Sequence, residues 1–196
     1  MSKENSPLAK YYRQPQIYIK LPTGTDYYPE DVVAKTTTGE HPVFPMTAND
    51  EILFKTPDAL MNGQATVDVI QSCVPAFKNA WKMVNFDTDS VLLAIRIATY
   101  GESMDITYRV PVTNEEMSHT VNLPALLEDL AKIEIVDEAT TPSGFKVKLA
   151  PLDYQKLTQV QTAQFEQQKI YATVNNSALP ESEKSTQFVK SFKLLN

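Results

Sequence analysis

The run Val91 to Tyr100, VLLAIRIATY, constrains this chain more than any other stretch. It is apolar on almost every face of a helix, and a helix apolar all round belongs in the middle of a fold. Arg96 is the one charge inside it. Its helical neighbours three and four positions away are Leu92, Leu93, Thr99 and Tyr100, none of them acidic. An unpaired buried charge is very costly, so the guanidinium must find a carboxylate on another element or serve an interface directly. Asp50, Glu51 and Asp68 are the candidate partners, and a structural ion pair from Arg96 tying helices together is the expectation.

The elements around this helix follow from local signals. Gln16 to Leu21 alternates as a strand, with Ile17, Ile19 and Leu21 on one face. Pro22, Gly24 and Pro29 make LPTGTDYYPE a turn, leading into a second extended piece over 31–35. Pro42 and Pro45 bracket a short edge strand around Val43 and Phe44. Thr47 with Asp50 three residues on approximates a capping box, and Thr56-Pro57-Asp58 opens another helix. Asn62-Gly63 ends it, and Ala65 to Val74 is the next, with Val67, Ile70 and Val74 on one side. Trp81 is expected in a short turn as a core anchor. Asp87-Thr88-Asp89-Ser90 is dense in cap residues, and Gly101 closes the central helix.

Beyond it, Met104 to Val112 alternates as a half-buried strand, and His119 to Leu123 can pair back to it as a hairpin. A short helix, ALLEDLAK, follows. Phe145, Val147 and Leu149 then form the apolar set of another strand, so one small antiparallel sheet is expected. After Pro151 comes a stretch without glycine or proline that reads as a helix of about 22 residues, roughly 33 Å long. The expected class is α+β: a compact helical core with a small antiparallel sheet or hairpin, an extended N-terminal arm and a long C-terminal helix. The divisions are an arm over 1–14, a core over 15–150 and a C-terminal helix and tail over 151–196.

Several function classes find no support. The net charge of −6 and pI of about 5.0 disfavour a nucleic-acid binder, which normally carries a basic face. No secretory h-region and no run of about twenty apolar residues is visible, so no membrane partner is expected. The single cysteine, Cys73, excludes an internal disulfide and four-sulfur zinc sites, and reads as buried packing. His41 and His119 belong to no metal-ligand spacing, and no phosphate-binding glycine pattern or nucleophile elbow occurs. Asp87/Asp89 and Glu115/Glu116 read as solvated capping or turn acids. No enzyme, cofactor, metal or small-molecule substrate is expected.

What remains is binding. Tyr11, Tyr12 and Arg13 form an interface-type cluster on a polar arm that either stays loose or orders on a neighbour. The long C-terminal helix carries a thin apolar seam including Leu157 and Phe165, suited to one neighbouring helix of its own domain or of another subunit. The last residues hold an amphipathic piece with Phe188 and Phe192 that could anchor in a groove.

Three ordered segments carry a resemblance. LPTGTDYYPE, FPMTANDEILFKTPDALMNGQATVDVIQSCV and DTDSVLLAIRIATYG resemble, over about residues 20–135, the baseplate hub protein family of T-even-type contractile-tailed bacteriophages. The matching positions include Leu21, Pro22, Gly24, Tyr28, Pro45, Met46, Thr47, Asp50, Glu51, Gly63, Ser72, Cys73, Asp89, Arg96, Tyr100 and Gly101. Two features depart from the family pattern: no cysteine pair follows Tyr100-Gly101, and Ser90 stands where an arginine is usual. The resemblance implies a non-enzymatic structural component of the tail baseplate, at the hub or inner wedge. Such a protein is made in the host cytoplasm and carried in the virion, with other baseplate subunits, and potentially further copies of itself, as partners. A hub-assembly chaperone that leaves the particle, or a host-directed regulatory binding protein, are the alternatives.

Overall fold

The computed structural model describes residues 13–177 and 180–193. The centre is α4, Asn85–Tyr100, preceded by three shorter helices: α1 (Ala48–Phe54), α2 (Pro57–Met61) and α3 (Gln64–Cys73). Val67, Val69, Ile70 and Cys73 of α3 and Val91, Ala94 and Ile95 of α4 share one buried cluster. Full burial of each large aliphatic among them is worth roughly 2 kcal/mol. A two-stranded antiparallel ladder of β1 (Ile17–Ile19) and β2 (His41–Val43) contributes Ile19 and Val43 to that cluster, in the register Ile17↔Val43 and Ile19↔His41. The alternation in QIYIKL and the prolines around Val43 act as expected. The stretch 31–35 is instead a turn held by one bridge, Val33↔Phe77.

Local chemistry starts the helices. The Thr47 hydroxyl accepts from the Asp50 N–H at 3.3 Å, and the Asp50 carboxylate accepts from the Thr47 N–H at 2.7 Å, completing the capping box. Gly63, between α2 and α3, has φ +79°, a conformation that favours glycine. Trp81 sits in a short 3₁₀ turn, Ala80–Lys82, as the sequence suggests.

Past α4 the burial pattern changes. The hairpin β3 (Ser103–Arg109) and β4 (Glu116–Asn122) forms as expected, followed by α5 (Leu123–Leu130) against α4. The strand expected over Phe145–Leu149 is β6 (Lys146–Lys148), but it pairs with β5 (Glu138–Thr140) and not with the first hairpin. The expected single sheet is therefore split in two, which with β1–β2 makes three separate two-stranded ladders among the described residues. Each pairs sequence-near strands, and none is wide enough to cover a face of another. Across the 47 residues 103–149, Leu123 alone is buried.

The long helix is α6, Tyr154–Asn175, with its 22 residues as expected. The Asp153 carboxylate caps it by accepting from the Lys156 N–H at 2.8 Å. Its start is clipped to the core: the Tyr154 N–H donates to Met83 O at 2.8 Å and the Asn85 N–H to Leu152 O at 3.1 Å. The final helix, α7 (Glu181–Lys193), begins earlier than the expected amphipathic piece and packs back on α6.

Candidate functional site

Two polar knots, one partly and one largely buried, hold the core. The first gathers around Arg13, which was expected to contact a neighbour but directs its donors inward. Its Nε donates to Pro45 O, and its Nη1 to Ser72 O at 3.0 Å and Ser72 Oγ at 3.2 Å. Its Nη2 lies 3.5 Å from Asp50 Oδ2 and 3.0 Å from Cys73 Sγ. Asp50 is buried, and it also accepts from the Ser72 hydroxyl at 3.1 Å. One guanidinium thus joins the chain before β1 to the start of α1 and the end of α3, because a planar fork can serve several acceptors at once. Burial pushes the Cys73 thiol up to about 11, against the lowering effect of Arg13, so it stays a neutral packed group.

The second knot centres on Asp87. It was expected to be a solvated cap residue; it is fully buried in the first turn of α4. Its carboxylate accepts from the Thr23 N–H at 3.2 Å and from the hydroxyls of Thr23 and Tyr28. The Tyr28 oxygen in turn accepts from the Val84 N–H at 2.9 Å. Burial raises the Asp87 pKa above the usual carboxylate range, partly offset by these donors. Burial and the Asp87 charge likewise raise the Tyr28 phenol, so the phenol keeps its proton and donates it. The knot fastens the loop before residue 29 to the helix start.

Arg96 departs from expectation. Among the described residues it has no carboxylate partner, and its Nη1 is buried without a hydrogen bond. Its guanidinium lies over the Tyr100 ring, 4.6 Å from the centroid. The three expected partners are engaged elsewhere. Asp50 pairs with Arg13, Asp68 accepts from Gln64 Nε2 at 2.7 Å, and Glu51 acts on the Tyr100 hydroxyl. The apolar helix is central as expected, but its half-buried cation stacks on the exposed Tyr100 ring in place of a carboxylate. His41 is also buried with both ring nitrogens unpaired among the described residues, and burial lowers its pKa, favouring the neutral ring.

The remaining expected contact residues fall in different surroundings. Tyr11 and Tyr12 lie outside the described residues, as does the Phe192 side chain. Leu157 is half-buried. Phe188 packs edge-on against Tyr171 at 5.7 Å, within the α6–α7 pair. Phe165 remains 52% exposed and lines a groove of about 410 Å³ with Asp58 and Met61. A second groove, about 560 Å³, runs along α6 between Trp81 and Glu166.

A further uncovered surface lies on the β3–β4 ribbon. In β3–β4 the register places Met104, Ile106 and Tyr108 opposite Val121, His119 and Met117, all on one face. The other face carries Ser103, Asp105, Thr107 and Arg109 opposite Asn122, Thr120, Ser118 and Glu116. The alternation in the sequence predicts a half-buried strand with one apolar face. In the folded chain Ile106, Tyr108 and Met117 are 41%, 47% and 49% exposed.

The model of the family described as T4 bacteriophage base plate protein matches residues 16–190. No curated protein and no solved structure matches. The matched span takes in the Asp87 knot, the exposed hairpins and α6, while Arg13 lies before it.

Proposed function

Since this chain belongs to the T4 bacteriophage base plate protein family, we propose that it is a non-enzymatic structural subunit of a contractile-tail baseplate, at the hub or inner wedge, acting by binding its neighbours. The observation that carries this reading is the unequal burial of the chain. Residues 103–149 contribute one buried residue, yet expose eleven of the large hydrophobics, among them Phe145 at 71%. A monomer seldom leaves that much apolar surface uncovered without a partner for it. A two-stranded hairpin is marginal alone, so these ladders gain their cover from adjoining subunits.

The polar knots support the same reading. Their charged and hydroxyl groups are used on one another, which makes the core a rigid base from which the extension and α6 reach out. Phe165 and the grooves beside α6 offer a second contact region, so several neighbours can share the binding energy. Quantitative peptide mass spectrometry of purified tails tests the assignment. A fixed whole-number ratio to other baseplate polypeptides is the expected result. Absence from the particle would overturn the virion-subunit role and leave that of a departing assembly factor.

A further inference from the structure

We propose that the apolar face of the β3–β4 ribbon is a docking surface for a different protein, one presenting an apolar strip rimmed by lysine and arginine. This deepens the baseplate reading and rests on it for the partner's setting. The ribbon sorts cleanly. Every odd position from Ser103 to Arg109, with its cross-strand partner, is polar; every even one carries Met104, Ile106 or Tyr108. On the polar face the Thr120 hydroxyl donates to Asp105 Oδ1 at 2.6 Å, a bond made within the ribbon. Beside the Tyr108 hydroxyl, the apolar face carries His119, opposite Ile106 and exposed, a donor suited to fixing the register of an incoming chain.

Charge selects the occupant. Residues 103–149 hold eight carboxylates against four cations, leaving −4 of the chain's −6. Two of those cations are already paired, Lys132 with Asp129 and Lys146 with Glu138. Glu115 and Glu116 stand exposed at the ribbon's tip. A second copy of the chain would bring the same excess of negative charge against the first, and an anionic polymer or lipid surface would be repelled. A basic-rimmed protein surface satisfies both the apolar strip and the field around it.

The test places a photo-crosslinking residue, benzoylphenylalanine, in the full chain in infected cells. It replaces Ile106 or Met117 on the apolar face, or Thr107 or Ser118 beside them on the polar face. The apolar-face positions should crosslink to one other polypeptide, at a peptide rich in lysine and arginine, with at least about tenfold higher yield than the polar-face positions. Reversing the tip charge with Glu115→Lys and Glu116→Lys should lower that yield about tenfold, because the opposing charges no longer attract. Equal yields from the two faces would overturn the proposal. So would no crosslink at all, a crosslink to another copy of this chain, a product poor in basic residues, or indifference to charge reversal. A chain absent from particles yet crosslinked through this face would sink the virion assignment alone. A chain present in particles but silent in crosslinking would sink the docking surface alone.

Discussion

Gly63→Ala is the sharpest probe of how α6 is seated. Gly63 has φ +79°, where an alanine costs roughly 1–2 kcal/mol. A Cβ built there would lie 3.0 Å from Thr158 Oγ1, 3.1 Å from Trp81 Cη2 and 3.2 Å from Thr158 Cγ2. Those contacts are too close to keep without movement. Thr158 cannot turn away freely, because its hydroxyl donates to Tyr154 O at 2.9 Å and the side chain is buried. Crowding of this kind adds about 1–3 kcal/mol, so the total loss is about 2–5 kcal/mol. The backbone part persists in a Thr158→Ala background, whereas most of the crowding part disappears there. A double-mutant cycle by urea unfolding should therefore show a coupling of about 1–3 kcal/mol between the two sites. Trp81 is the chain's only tryptophan and touches the new methyl, so its fluorescence reports both unfolding and native displacement. An identical Gly63→Ala cost in both backgrounds, with unchanged native emission, would refute the proposed contact.

Three further perturbations address the polar groups. Arg13→Lys keeps the charge but cannot reach Pro45, Ser72 and Asp50 together; a loss of about 1–3 kcal/mol in denaturant unfolding is expected, and no loss would mean the arm is not anchored there. Asp87 has a folded pKa above its unfolded value, so its contribution is fully present below the unfolded pKa and declines as pH rises through the folded one. The stability of the wild type minus that of Asp87→Asn should accordingly fall as pH rises from about 4 upward, and a difference that grows with pH would reverse the assigned sign. Arg96→Met removes a buried donor that has no hydrogen-bond partner among the described residues, so stability should stay within about 1 kcal/mol of the wild type; a drop of about 3 kcal/mol or more would reveal an ion pair.

Local chemistry determined much of the secondary structure. Thr47 with Asp50, the turn at Asn62-Gly63, and the uninterrupted stretch after Pro151 each carry their signal within a few residues, because caps, breakers and periodicity act over one or two turns. The placement of VLLAIRIATY at the centre is legible for a similar reason: nowhere else could such a segment hide its surface. Pairing over distance was not legible. Arg13 meets Asp50 across 37 positions and Tyr28 meets Asp87 across 59, and many other acids and hydroxyls in the chain offer the same chemistry. Only the packing of α1, α3 and α4 decided which of them meet, and why Arg96 was left to stack on Tyr100. Alternation in β3 likewise determined that one face would be apolar. Whether that face is covered depends on what stands opposite it, and among the described residues Ile106, Tyr108 and Met117 stay exposed.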